Sequence, residues 1–390
     1  MVIFHNFLSH RLCVRCAGRI YARVGSDLEN PTRGAILEFL ISVLDNKEFK
    51  FETEENCQIC RGIFKNLDRY YEMTADLAKN YEYRTFLVGS TFDEETVEVE
   101  SLVQKGMEMH AESIKKEFNR ELGKIISLRA GKEFEKNDPD IAFQFNIKYD
   151  SLKLQLKSLY IYGVYRKFRR DTPQTRWIHK EYNQTKSLEE LIGEPLIKFS
   201  NASDFRLHGA GREDVDVRML GNGREFVIEA IDPRIRQIDL EAYQRAVNAN
   251  SDTLEISDLK FVDKKVVKAL KESNYSKTYV AKISSSGIMD TERLETAINE
   301  FAGKVIYQRT PLRVSGRRSD LVRERTIEAI RMLEGSGNQA ILEITAEAGT
   351  YVKELINGDE GRTTPSISEV YGAPLRIEEL DVIKIHRSEK

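Results

Sequence analysis

The sequence predicts an α+β chain of more than one domain, from two observations and a length. Several short runs alternate apolar and polar residues as strands do, and longer charged stretches carry apolar residues at helical spacing. The length, 390 residues, exceeds what one hydrophobic core usually fills. Hydrophobic residues make up 41% and charged residues 32%, which fits a globular protein with a heavily charged surface. No apolar run approaches the length of a bilayer-spanning helix, so no membrane partner is expected. The N-terminus, MVIFHNFLSHRLCVRC, lacks the basic start, long apolar centre and small-residue cleavage site of a secretion signal, so a cytoplasmic location is expected. A net charge of −3 does not announce a polyanion partner, but the charge is sorted along the chain. Lys and Arg cluster at 166–180 and 309–325, and acidic residues dominate 45–55 and 93–100.

All four cysteines sit in two CxxC pairs, Cys13–Cys16 and Cys57–Cys60, with 40 residues between them. Each pair places two thiolates on one knuckle, and two knuckles complete a four-thiolate site, so a structural zinc is expected. A redox-active pair is the competing reading, although such a pair usually comes singly near a βαβ pattern. The intervening 31–45 has helical apolar spacing, and 57–80 continues in the same pattern. A strand is expected at 85–92 and one long charged helix at 95–133. Next, 142–150 and 152–163 both alternate and are read as a hairpin. In 162–177, Tyr162, Tyr165, Phe168 and Trp177 interleave with Arg166, Arg169, Arg170 and Arg176. Aromatics that stack bases beside guanidinium groups that meet phosphates suit a single-stranded RNA surface; an amphipathic edge with solvated charges is the alternative. Residues 178–203 read as a connector. The remainder reads as strands at 205–211, 224–231, 277–285 and 340–347, with helices at 235–249, 261–272, 290–302 and 320–334.

The densest group of reactive side chains is 211–221, Gly-Arg-Glu-Asp-Val-Asp-Val-Arg-Met-Leu-Gly, where acids and arginines alternate between glycine-marked turns after a strand. Composition alone permits either a surface salt-bridge ladder or a site. A second segment, Gly349-Thr350-Tyr351-Val352-Lys353-Glu354-Leu355, follows a strand and opens a short helix, where a cation can be presented to an anion. A carboxylate from the first loop and Lys353 from the second can form a buried pair that keeps the carboxylate ionised. Common phosphate-binding, dinucleotide, zinc-protease and serine-hydrolase motifs are absent, and His208, alternating with Phe205 and Leu207, reads as a structural strand residue.

GREDVDVRMLGNGREFVIEAIDP (211–233) resembles the signature of the archaeal and eukaryotic tRNA pseudouridine synthase family that acts on T-loop positions 54 and 55. The likeness continues through SKTYVAKI (276–283), QRTPLRVSGRR (308–318), AGTYVKELINGDEGRTTPSI (348–367) and ELDVIKI (379–385). NDPDIAFQF (137–145), YGVYRKFRRDTPQTRW (162–177) and the leading CxxC pairs extend it over the whole chain. The resemblance implies a pseudouridine synthase catalytic domain with a mixed, largely antiparallel sheet at 181–390. Ahead of it the family carries a zinc-binding four-cysteine subdomain, here 1–80, and a THUMP-like RNA-binding region, here 81–180. It also implies Asp214 as catalytic carboxylate, Tyr279 stacking on the target base, Lys353 as basic partner, Leu380 packing beneath the base, and Arg212 helping to hold the flipped nucleotide. The implied partner is tRNA, at its T-arm and elbow, bound by a monomer, with no organic cofactor. Whether Asp214 attacks C1′ or removes a sugar proton, and whether position 54, position 55 or both are modified, stay open. A non-catalytic zinc-containing RNA-binding or RNA-chaperone protein is the alternative. A THUMP-linked methyltransferase or thiolase would need a cofactor or pyrophosphate loop that the sequence lacks.

Overall fold

The structure, a computed structural model, describes residues 9–25, 27–176, 185–249, 252–317 and 319–387. Among the described residues no helix is long and apolar enough to cross a membrane. The chain divides into two compact units after Lys157.

In the first unit, Cys13 caps helix α1 (Val14–Arg19) by accepting from the Cys16 amide at 3.5 Å. Helix α2 (Asn30–Leu44) opens on a proline in its first turn, as expected for 31–45. The pattern at 57–80 resolves into a 3₁₀ turn (Ile63–Asn66) leading to α3 (Leu67–Ala78). The single helix expected at 95–133 is instead two, α4 (Glu94–Gln104) and α5 (Ile114–Ala130). The break falls between them, where Gly106 has a positive φ of 83° and the Ser113 side chain accepts the Lys116 amide and so starts a new helix. Strands β1 (Thr85–Thr91), β2 (Glu133–Phe134), β3 (Ile141–Asn146) and β4 (Ser151–Leu156) form a sheet in the order β2-β1-β3-β4. β1 runs parallel to both neighbours and β3–β4 is the hairpin. Phe86, Phe118 and Phe143 are fully buried in one apolar cluster with Leu12, Ile20 and all four cysteines. Packing therefore draws no boundary at 80. Arg19, fully buried, reaches Glu100 and Glu117 at 3.0 Å each and ties the cysteine-bearing α1 to α4 and α5; a buried cation persists only with such partners.

The second unit begins with β5 (Leu159–Lys167), so the expected boundary at 180 lies some way inside it. The 152–163 stretch is broken at Lys157 and Ser158, and its second half pairs with β7 and β8 rather than with β4. The remaining strands are β6 (Asp204–Gly209), β7 (Val217–Ile231), β8 (Leu254–Val262), β9 (Lys277–Ser285) and β10 (Lys304–Arg309). They are followed by β11 (Val322–Ser336), β12 (Gln339–Ala346), β13 (Thr363–Thr364) and β14 (Leu375–Ile385). The sheet order is β13-β10-β11-β12-β9-β14-β7-β5-β8, with β6 also on β7. Among the described residues only β14–β7 is parallel in this sheet, so it is mixed and largely antiparallel.

Three expectations are corrected here. The segment 320–334 is a strand, not a helix. Register shifts at Ile327/Ala329 and Met332/Glu334 put the buried Ile327 and Ile330 three residues apart, and these bulges imitate helical spacing. The connector at 178–203 contains helix α6 (Leu188–Ser200), started by a Ser187–Glu190 capping box and burying Leu188, Ile192 and Leu196. Finally, β7 takes in the stretch expected to be a turn. Gly221 and Gly223 have positive φ, and a Cβ would lie 1.7 Å from the Ile383 carbonyl oxygen at the first and 2.7 Å from that of Tyr165 at the second. The strand bends there without ending.

Candidate active site

The loop 210–216 joins β6 to β7, and side chains from β5 and the segment after it hold it in place. Glu213 points inward: the Tyr165 hydroxyl donates to its two oxygens at 2.8 and 2.9 Å, and Arg224 forms an ion pair with it at 2.9 Å. Burial pushes the Tyr165 phenol well above its ordinary pKa, and the Glu213 charge adds to the effect. Gln174 donates to the Tyr165 hydroxyl at 3.0 Å and to the Gly211 carbonyl at 3.1 Å. Lys167, 1% exposed, donates to the carbonyls of Thr172, Asp214 and Val215 at 2.9, 3.2 and 3.0 Å. Burial lowers its pKa, and the charges of Glu213, Asp216 and Asp214 oppose that shift. Arg170 donates to the carbonyls of Asp216 at 3.2 Å and Leu380 at 2.8 Å, and pairs with Glu379 and Asp381.

With Glu213 turned inward, Asp214 and Asp216 face outward. Asp214 has a side-chain exposure of 37% and meets two cations: Arg313 Nη1 lies 2.8 Å from both its oxygens and Lys353 Nζ 3.5 Å from Oδ2. Lys353 is closer to Asp216, at 2.6 and 2.8 Å. Burial works against the Asp216 charge, and the hydrogen bond and charge of Lys353 together with the Arg313 charge outweigh it, leaving that carboxyl below the usual range. The expected Lys353–Asp214 pair therefore exists only as the longer arm of a shared contact. Arg313, from the 3₁₀ turn Leu312–Arg317, also grips Glu354 at 2.6 Å through Nε. The sequence does not mark Arg313, Glu354, Lys167 or Arg224 as site residues. Arg313 does lie in the 308–318 segment, but nothing local distinguishes it from the arginines beside it.

Tyr279 on β9 is 9% exposed, and burial pushes its phenol up to about 12 against the opposing charge of Arg224. Leu380 on β14 pairs in register with Val217 and Ala281, and Tyr279 with Val382. Tyr279 and Leu380 thus sit on adjoining strands where the loop enters β7. Arg212 is exposed in that loop. Outside it, Arg166 pairs with Glu255, Arg169 with Asp171, and Arg176 with Asp204 and Glu189. Tyr165 is fully buried, Tyr162 donates to Glu225 at 2.7 Å, and Trp177 lies outside the described residues. His208 contacts Glu229 at 2.9 Å within the sheet. In the first unit, one sulfur from each of Cys13, Cys16, Cys57 and Cys60 lies within 4.8 Å of the others, all four buried. Four mutually close thiols suit one soft metal ion in a closed tetrahedral shell.

Comparison with known proteins bears on both units. The family described as "Pus10, C-terminal" matches residues 160–386, and "Pus10 THUMP domain, archaeal" matches 70–146. The chain belongs to the Pus10 family. The first of these matches starts at β5, in line with the division of the chain after Lys157. Pus10 relatives named tRNA pseudouridine synthase Pus10 align over nearly the full length. That of Thermoplasma acidophilum is 47% identical, covering 98% of this chain and 98% of its own. That of Picrophilus torridus is 45% identical, covering 97% of each chain. That of Pyrococcus furiosus is 37% identical, covering 96% of this chain and 95% of its own.

Proposed function

We propose that this chain isomerises uridine to pseudouridine in tRNA, at T-loop position 54, position 55 or both, with Asp214 as the catalytic carboxylate. The observation that carries the reading is the division of labour among three neighbouring acids. Glu213 is buried as an anchor, Asp216 is held by Lys353, and Asp214 stays accessible beside two cations on a rigidly held loop. The reaction breaks the N1–C1′ bond and makes C5–C1′, with C5 giving up its proton and N1 taking one up, so atoms and electrons balance without a redox partner, and the base must leave its stack for a dry pocket. An ionised carboxylate at the sugar can serve as nucleophile or base. In this reading Tyr279 stacks on the base, Leu380 packs beneath it, and Arg212 holds the flipped nucleotide. The T-arm and elbow are the proposed contacts, with Arg166, Arg169, Arg170 and Arg176 on the tRNA side, for a cytoplasmic monomer. Zinc is the metal we assign to the four cysteines, as a structural staple. The test is to incubate the purified chain with an unmodified tRNA transcript and map pseudouridine by carbodiimide primer extension. Modification at 54 or 55 that vanishes in Asp214→Asn, with tRNA affinity kept, is expected. Full activity of Asp214→Asn, or a wild-type product elsewhere, overturns the proposal.

A further inference from the structure

We infer that Arg313 is a positioning residue that aims the Asp214 carboxylate, with Glu354 as its buried anchor; the inference rests on Asp214 being the carboxylate that reacts. Arg313 uses two edges of one guanidinium: Nε meets Glu354 at 2.6 Å, and Nη1 lies 2.8 Å from both Asp214 oxygens. Glu354 is 3% exposed on helix α7 (Val352–Asn357), itself packed against β14, so it is a fixed point. Because a guanidinium is planar and its N–H directions are rigid, seating Nε on a fixed carboxylate determines where Nη1 points. Burial works against the Arg313 charge and the two carboxylates outweigh it, so the clamp stays cationic.

Lys353 cannot take this part. Its ammonium has no plane to transmit, and its shorter contacts are to Asp216, at 2.6 and 2.8 Å, against 3.5 Å to Asp214. Consecutive residues of one helix thus hold the two outward acids by different means. Lys353 neutralises Asp216 directly, and Glu354 orients Asp214 through Arg313. A carboxylate misdirected by ~1 Å loses about 10²-fold in rate when the reaction needs a near-attack geometry.

The experiment uses the full chain and an unmodified tRNA transcript, measuring single-turnover rate and tRNA dissociation constant for Arg313→Lys, Arg313→Met, Glu354→Gln, the Arg313→Met/Glu354→Gln double variant and Asp214→Asn. Melting curves check folding, and Arg313→Lys, which keeps the charge, separates aim from neutralisation. Both Arg313 variants are expected to lose about 10²-fold in rate, with affinity within about threefold. Glu354→Gln keeps an oxygen acceptor for Nε and is expected to lose about tenfold, with no further loss when combined with Arg313→Met, because the two act as one unit. A near-parental rate in Arg313→Lys or Arg313→Met overturns the inference. So does a rate loss matched by lost affinity, which makes Arg313 an RNA contact, and so do losses that multiply in the double variant. An active Asp214→Asn overturns the site reading itself, whereas an inactive Asp214→Asn beside a fully active Arg313→Met overturns this inference alone.

Discussion

Lys167 donates from Nζ to the main-chain carbonyl of Asp214 at 3.2 Å, so a buried ammonium supports the backbone of the candidate catalytic residue from below. Lys167→Met removes the donor to three carbonyls at once. It is expected to destabilise the fold by about 1–3 kcal/mol and to slow single-turnover pseudouridine formation by ~10-fold or more, with tRNA affinity retained. Urea unfolding and a rate assay check both; an unchanged rate would show that the loop is held without it.

The neighbouring acids should separate by measurement. Glu213→Gln leaves the buried Arg224 without a counter-charge and is expected to cost about 3–5 kcal/mol of stability. Asp216→Asn, at a side chain 65% exposed, is expected to change stability by less than about 1 kcal/mol. Denaturation midpoints of the two variants, compared at equal m-value, decide this.

Removing metal should strike the first unit. Atomic emission on purified protein is expected to find one zinc per chain, absent in Cys57→Ser/Cys60→Ser. Because the cysteines share a core with Phe86 and Phe143, chelation is expected to lower the first unit's melting transition by well over about 10 °C. Protein that is metal-free yet unchanged in melting contradicts the assignment.

Lys277 at the start of β9 supplies a pH test. Burial, helped by Arg224, pushes its ammonium down to about 8 from an ordinary 10.5. Below pH 8 the lysine is charged in both folded and unfolded chains, and the cost of burying that charge is fully present. Between about 8 and 10.5 the unfolded chain binds more protons, so stability rises with pH by at most ~1.4 kcal/mol per unit from this group. Lys277→Met removes the cost, so its stability relative to the parent should be greatest near pH 7 and decline by pH 10. A difference that does not vary with pH sinks the prediction.

The parts of this fold legible in the sequence were those whose partners are close or whose spacing is itself the signal. The CxxC pairs fall into that class, as do the strand at 85–91 and the acid loop marked by glycines. The clamp on Asp214 was not legible, because Arg313 lies 99 residues from Asp214 and 41 from Glu354, and Lys167 lies 47 from Asp214. The basic run after Tyr165 has a role that its composition does not signal: Lys167 directs its donors at main-chain carbonyls, and Arg170 divides its donors between carbonyls and the carboxylates of Glu379 and Asp381. In β11, two bulges reproduced helical spacing on a strand.

Because Tyr165, Lys167, Arg170 and Gln174 all precede the acid loop in the chain and hold it from outside, the heptapeptide 210–216 is not a portable cassette. Grafted alone onto another scaffold, it would arrive without a floor, and its three acids would exchange freely between inward and outward roles. The stretch from the start of β5 to the end of β7, 159–231, carries the floor and the partners of Glu213, but the cations on Asp214 and Asp216 come from beyond it.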